Sequence, residues 1–378
     1  MEIIRKYIDE LLDKSTPYEP LWNIEKIRAG HKELSWNYID GVMIKAVIEM
    51  YHITGDKKYL DFADAFIDVR VSEDGDIAGY DINELNIDNV NAGKTLFELY
   101  DLTGKEKYRK AIDLIYSQIE KMPRTKQGSF WHKDIYPNQV WLDGLYMGQP
   151  FYMEYETRYN NKKNYADIYK QFSFVIGNMK DLNTGLYYHA IDTSKKMYWA
   201  DPVTGLSQLI WLRAMGWFAM ALLDTMDKAD ENDETHKADY EMLKKAFVEL
   251  VDTMLKYQDE SGMWYDVVNF GGLDKNYLET SGSAIMAYAI YKGVRFGFLP
   301  KEYTQYADKS MTGICDKYLH TEEGNMHLGG ICLVSGLGGK QRRDGTFAYY
   351  MSEPIVEDDA KGVGPFLLAY TEWLRIHK

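Results

Sequence analysis

One short segment returns along the chain, and that recurrence restricts the fold more than any other feature. Tyr51-His52-Ile53-Thr54-Gly55-Asp56-Lys57-Lys58-Tyr59 reappears as Tyr100-Asp101-Leu102-Thr103-Gly104-Lys105-Glu106-Lys107-Tyr108, and more loosely as Tyr155 to Tyr165. Each copy reads as a helix stop at Gly or Asn followed by a new helix. Upstream of the first stop the residues are apolar nearly all round, from Val42, Met43 and Ile44 to Val47, Ile48 and Met50, as in a buried helix. Downstream of the second, Tyr108, Ala111, Ile112, Ile115, Tyr116 and Ile119 form the i, i+3, i+4, i+7 stripe of a helix with one solvent face.

The alternation continues to the end of the chain. Ala214 to Leu223 and Ala284 to Tyr291 read as buried helices. Tyr240, Leu243, Phe247, Leu250 and Met254 make one stripe, and Tyr303, Ala307, Met311, Ile314 and Tyr318 make another. Val363 to Leu374 supplies a sixth inner helix, and Ile4, Ile8, Leu11 and Leu12 the remaining outer one. Six pairs of roughly 63 residues each predict an all-α protein of two concentric helical rings, an (α/α)6 barrel or six-hairpin toroid, with residues 1–378 as a single domain. An open solenoid is the alternative, but it calls for polar capping repeats at its ends. Only nine prolines occur, about half the usual share, and Leu21 to Met122 and Val203 to Leu299 contain none.

A second repeat falls in the connections from outer to inner helix. Gly128-Ser129-Phe130-Trp131-His132, Gly185-Leu186-Tyr187-Tyr188-His189 and Gly262-Met263-Trp264-Tyr265-Asp266 share Gly, a variable residue, two aromatics and a polar residue. In a closed ring these loops emerge at one end, where a pocket is expected. Asp40, Asp88, Asp143 and Arg213 stand at the starts of successive inner helices. Capping accounts for each aspartate taken singly, because a carboxylate complements the dipole and satisfies free N–H groups. Arg213 opposes the dipole and needs another reason, such as a carboxylate ligand held bidentately.

Converging on one aromatic-lined cavity, two aspartates repel and at least one becomes available as a general acid. Charged groups beside aromatic faces suit a sugar, whose pyranose face stacks while its hydroxyls are hydrogen-bonded. Trp141, Trp211 and Trp217 flank the charged positions, with some expected in the core and some facing the cavity. His132 and His189 occupy matching repeat positions, which separates them from an ordinary surface histidine.

Other functions are disfavoured. Fifty-eight acidic against 44 basic residues, a net charge of −14, oppose a nucleic-acid surface. The N-terminus lacks the apolar run of a signal peptide, and no apolar segment approaches the ~20 residues that span a bilayer, so a cytoplasmic protein without a membrane partner is expected. Cys315 and Cys332 have no metal or redox spacing and read as free thiols. No His pair shows HxxxH spacing, and neither a metal nor a cofactor is expected. The stretch Gly329 to Lys340 lacks GxxxxGK[ST] and no strand is expected before it, so it reads as a mobile loop rather than a phosphate cradle. With Arg342 and Arg343 beside it, that loop could fold over an anionic ligand.

Phe130-Trp131-His132-Lys133-Asp134, Trp141-Leu142-Asp143-Gly144-Leu145, Trp199-Ala200-Asp201 and Trp211-Leu212-Arg213-Ala214-Met215-Gly216-Trp217 resemble the unsaturated rhamnogalacturonyl hydrolases of glycoside hydrolase family 105. The likeness extends through Glu279-Thr280-Ser281-Gly282-Ser283 and Gly362-Val363-Gly364-Pro365-Phe366, and departs from the family at Leu212, where a small residue commonly precedes the Arg, and in the Gly-rich loop. The resemblance implies a metal-free hydrolase acting on lyase products that carry a 4,5-unsaturated uronic acid. It implies Asp143 as general acid/base and Asp88 holding the unsaturated ring and helping to place the water. His132, His189, Arg213 and Trp217 would then line the first subsite, with Arg213 reading the uronate carboxylate and Asn37 and Tyr38 adding contacts. Related unsaturated glucuronyl hydrolase activity on glycosaminoglycan or ulvan fragments is the nearest alternative. A non-catalytic oligosaccharide-binding protein is the next. The expected partner is a small oligosaccharide and the expected state a monomer or weak homo-oligomer.

Overall fold

The computed structural model describes residues 1–377. Fourteen helices follow in chain order: α1 (Glu2–Asp13), α2 (Ile24–Ala29), α3 (Tyr38–Thr54), α4 (Lys57–Asp68), α5 (Lys94–Thr103), α6 (Glu106–Lys121), α7 (Leu142–Tyr159), α8 (Tyr165–Asn178), α9 (Leu212–Lys228), α10 (Lys237–Leu255), α11 (Thr280–Arg295), α12 (Thr304–Tyr318), α13 (Phe347–Tyr350) and α14 (Ala360–His377). The inner ring runs α3, α5, α7, α9, α11 and α14, and α14 packs against α3 to close it. Closure removes the open solenoid, and the (α/α)6 architecture stands. The outer ring is α1, α4, α6, α8, α10 and α12. Its helices bury one stripe, as in α1 with Ile4, Tyr7, Ile8, Leu11 and Leu12, whereas every residue of α9 from Leu212 to Leu223 is buried.

The repeated motif explains the alternation of rings. Gly55 and Gly104 end α3 and α5 at φ 71° and 69°, a left-handed conformation that costs a glycine little. Their N–H groups bond Tyr51 O and Tyr100 O at 2.8 Å. The looser third copy stops at Asn160, with Asn161 and Lys162 left-handed. After each of the first two stops a tyrosine reaches back to the previous outer helix: Tyr59 donates to Asp9 and Tyr108 to Asp64, both at 2.6 Å. One motif therefore turns the chain and ties neighbouring outer helices together.

Three features differ from the sequence reading, and one adds to it. The second inner element opens as a 3₁₀ stretch, Ile87–Gly93, before α5 begins. Proline is present inside the inner ring, at Pro150 in α7 and Pro365 in α14. Pro150 has no N–H for Tyr146 O, and Lys94 Nζ takes that carbonyl at 3.2 Å while lying 3.4 Å from the Tyr146 ring centroid. Burial holds this ammonium well below the usual lysine range. Short strands do precede the Gly-rich stretch. The hairpin β3 (Leu319–Glu322) with β4 (Asn325–Leu328) leads into β5 (Ile331–Cys332), which pairs with β6 (Ile355–Val356). The Gly-rich loop is anchored rather than free: Leu337 is 1% exposed and packs with Trp141 and Trp199, and Gly338 bridges Arg343.

The C-terminal halves of the inner helices are linked by ion pairs, among them Lys45–Glu98, Glu49–Arg375, Arg295–Glu372 and Lys292–Asp224. Their N-terminal ends gather around a polar cavity. No helix among the described residues is long and apolar enough to cross a membrane.

Candidate active site

Backbone pairing brings the charged residues together. Asn86 bridges Lys133, and Ile87 N–H donates to His132 O at 3.1 Å, so the first mouth loop is fixed beside the 3₁₀ stretch that carries Asp88. Asp88 Oδ2 lies 2.8 Å from Lys133 Nζ and Oδ1 lies 3.2 Å from His132 Nε2. Burial would raise the Asp88 carboxyl, but the Lys133 ammonium and then His132 hold it well below the usual carboxylate range. Asp88 is therefore an ionised acceptor. Repulsion between two aspartates is not expressed through it.

The second loop repeats the device for Asp143. Strand β1 (Gln139–Trp141) pairs antiparallel with β2 (Ala190–Asp192), and Leu142 N–H donates to His189 O at 3.1 Å. That pairing sets His189 Nε2 3.2 Å from Asp143 Oδ2, in the first turn of α7. The next residue, Gly144, makes room for the neighbouring site: a Cβ there would come 2.9 Å from His132 Nδ1. The His132 ring stacks on Trp141 at 4.6 Å and 6°, and Tyr136 stacks on Trp141 at 5.5 Å and 4°.

Tyr38, Asp88, His132, Trp141 and Asp143 share one cavity of about 260 Å³. Its wall is completed by Glu25, Lys133, Tyr136, Met147, Val334, Ser335, Gly336 and Arg343, which sequence reasoning had not assigned to the pocket. Lys133 was visible as the residue after a mouth-loop histidine. Val334 to Arg343 enter from far along the chain, and only the pair of arginines beside a Gly-rich run pointed to them.

The remaining candidates lie elsewhere. Asn37 caps α3, accepting from Asp40 N at 2.9 Å and donating to Asp40 Oδ2 at 3.1 Å. Asp40 itself accepts from Trp22 Nε1 at 2.9 Å and is buried away from the cavity. Trp217 stacks on Tyr146 at 4.9 Å inside the helical core and is not on the wall of this cavity. His189 is fully buried behind Asp143. Trp211 donates through Nε1 to Asp266 Oδ1 at 2.9 Å, so the third mouth loop meets the start of α9. Burial and then Glu279 push the Asp266 carboxyl up to about 8.

The reading of Arg213 changes most. This residue is 1% exposed, its Nε donates to Ser281 Oγ at 2.6 Å, Nη2 donates to Cys332 O, and Nη2 stands 3.6 Å from Glu279 Oε1. The carboxylate that answers this guanidinium is internal. Glu279 caps α11, accepting from Ser281 N and Gly282 N, which fixes the pair beneath the mouth.

A closed ring of six helix pairs, with two carboxylates in one aromatic-lined cavity, suits a glycoside hydrolase. The chain belongs to Glycosyl Hydrolase Family 88, whose family model matches residues 10–377. A solved glycoside hydrolase from Family 105 of C. acetobutylicum is 45% identical, covers 92% of this chain and 96% of its own, and superposes with a TM-score of 0.86. The unsaturated rhamnogalacturonyl hydrolase YesR of Bacillus subtilis is 28% identical over 295 residues, 76% of this chain and 78% of its own. Protein Atu3128 of Agrobacterium fabrum is 38% identical over 235 residues, 60% of this chain and 98% of its own. The family is that of the unsaturated glycuronyl hydrolases.

Proposed function

We propose that the protein, acting as one catalytic domain, removes the 4,5-unsaturated uronic acid from the non-reducing end of lyase-generated oligosaccharides, the unsaturated rhamnogalacturonan disaccharide foremost. The observation that carries this reading is the pairing of each cavity aspartate with its own histidine: Asp88 with His132 and Asp143 with His189. The two carboxylates thereby take different roles. Likeness to YesR supports the choice of leaving sugar.

Asp143 delivers a proton to C4 of the vinyl ether, the π pair forming the new C–H bond and leaving positive charge shared by C5 and the ring oxygen. Water adds at C5 and returns a proton to Asp143. The hemiketal opens to a ketone at C5, and the hemiacetal left at C1 expels the remaining sugar. Asp88, ionised and held by Lys133, accepts hydrogen bonds from substrate hydroxyls and the incoming water. Tyr38 and Trp141 border the sugar ring on the cavity wall. With Arg213 buried on Glu279, Arg343, on the cavity wall with its Nε 3.5 Å from Glu353 Oε1, supplies the guanidinium for the uronate carboxylate.

The test is a panel of lyase-generated oligosaccharides from pectin, ulvan and glycosaminoglycans, followed by loss of the unsaturated chromophore. Fastest turnover on the rhamnogalacturonan disaccharide supports the reading. Preference for the glycosaminoglycan or ulvan products replaces it with the glucuronyl alternative, and binding without turnover on every member sinks both.

A further inference from the structure

Behind Asp143 lies a second contact that the reaction as written does not use. His189 is fully buried, and its two ring nitrogens face two different groups: Nε2 faces Asp143 Oδ2 at 3.2 Å, and Nδ1 lies 2.8 Å from the hydroxyl of Tyr350. Tyr350 is itself 1% exposed and belongs to α13, a one-turn helix capped by Thr346.

Counting donors decides the direction of both contacts. Among the described residues the Tyr350 hydroxyl has one hydrogen-bond partner, His189 Nδ1. If Nδ1 carried the imidazole proton, it would donate to the phenol, and the phenol's own O–H would be buried with no acceptor, at a cost of about 1–3 kcal/mol. If instead the phenol donates, Nδ1 is the lone-pair nitrogen and the proton of the neutral imidazole sits on Nε2, the nitrogen 3.2 Å from Asp143 Oδ2. Only this arrangement satisfies the Tyr350 hydroxyl and leaves Asp143 as an acceptor on its histidine side. Tyr350 keeps its proton at any working pH, because burial raises the phenol well above its usual range.

We propose that Tyr350 is a positioning residue for the acid/base carboxyl: its hydroxyl donates to His189 Nδ1, fixes the Nε2–H tautomer, and reserves Asp143 Oδ2 as an acceptor. The consequence concerns where the catalytic proton resides. With the Nε2 proton on the Oδ2 side of the carboxyl, the proton that Asp143 carries is confined to Oδ1. In the opposite tautomer Nε2 would present a lone pair, and Asp143 would spend its proton on the ring rather than on the substrate. This logic is that of a catalytic base oriented by a third group, applied here to an acid.

The groups facing the pair are few. The rings of Trp141 and Trp211 lie 5.2 and 4.9 Å from the His189 ring. Tyr349, Asp266, Asp143 and Cys332 act on Tyr350 electrostatically. Of these, only Asp143 approaches a ring nitrogen of His189.

The proposal rests on Asp143 as the acid/base, and the experiment separates the two. In the full chain labelled with ¹⁵N-histidine, the His189 resonances are identified by their loss in His189→Gln. The wild type is expected to show Nδ1 as the unprotonated nitrogen and Nε2 as the N–H nitrogen, and Tyr350→Phe to show a mixture of tautomers. This measurement needs no substrate, so absence of turnover would refute the function and leave the tautomer standing. Kinetically, Tyr350→Phe should lower kcat ~10- to 100-fold, the equivalent of one hydrogen bond to a charged group, with KM little changed. It should also change the alkaline limb of the pH profile, where the acid loses its proton. In the His189→Ala background Tyr350→Phe should add nothing, because Tyr350 acts through His189. A wild-type Nδ1–H, a Tyr350→Phe enzyme with unaltered kcat and pH profile, or multiplicative losses in the double variant would each overturn the assignment. If Tyr350→Phe does not fold, the wild-type spectrum alone decides.

Discussion

Lys133 Nζ stands 2.8 Å from Asp88 Oδ2, and the two reach that contact because Asn86 and Lys133 are bridged backbone neighbours. The charge state of Asp88 thus depends on a residue 45 positions later in the chain that belongs to a different hairpin.

Replacing Lys133 by Met should expose that dependence. In the wild type the folded-state value of Asp88 is depressed, so its contribution to stability is present above the unfolded value of about 3.9 and is lost as pH falls through the lower folded value. Without the ammonium, burial dominates and the carboxyl takes up a proton nearer neutrality. The acid limb of kcat/KM should move to higher pH in a profile measured from about pH 4 to about pH 8. An unmoved limb would show that Asp88 is ionised by something else.

Asp143→Asn should lose at least ~10²–10⁴-fold in turnover, the range of general acid catalysis, with circular dichroism and melting temperature preserved. The amide keeps the size of the side chain at the start of α7 but has no proton to give. Near-normal turnover would remove Asp143 from the mechanism.

Substituting Arg213 and Arg343 tests which guanidinium is structural and which binds. Arg213→Ala leaves Glu279, which is fully buried, without its cation, and should cost on the order of 3–5 kcal/mol in urea unfolding. Arg343→Ala should instead raise KM for the unsaturated disaccharide while stability changes little. The opposite pattern would return the carboxylate-binding role to Arg213.

Asp266 carries a pH signature of its own. Its folded value of about 8 lies above the unfolded value of about 3.9, so between these limits the folded state binds the extra proton and stability falls as pH rises. Asp266→Asn keeps an acceptor for Trp211 Nε1 and removes the titration. Its melting temperature should decline less than that of the wild type between about pH 6 and about pH 8, and an equal decline would refute the assignment.

Much of this was legible where it depended on local pattern. The Thr-Gly stops at Gly55 and Gly104 and the stripe from Tyr108 to Ile119 are short-range signals, and they reproduce the alternating rings. The mouth-loop repeat also announced His132, His189 and Asp266 as equivalent, and each does meet the start of an inner helix. Pairings across the ring were not legible. Arg213 looked unpaired because Glu279 lies 66 residues away, and Trp217 looked like a cavity residue because nothing local reveals that Tyr146 waits on the adjacent helix. The resemblance to the family carried Asp88 and Asp143 into one site, but it could not say that His189 stands buried behind Asp143 rather than on the cavity wall.

The closure of the inner ring has a consequence for how the molecule comes into being. The first outer helix, α1, packs on the last inner one, α14, and Tyr7 donates to Asp358 across 351 residues at 2.7 Å. A chain emerging from the ribosome can complete its early hairpins in order, yet the inner faces of α3 and α11 are left without their neighbour until α14 arrives. Contacts of such long sequence separation form late and slowly, and partly closed rings expose apolar surface meanwhile. Maturation of the catalytic mouth should therefore be gated by the arrival of α14, although no residue of α14 lines the cavity.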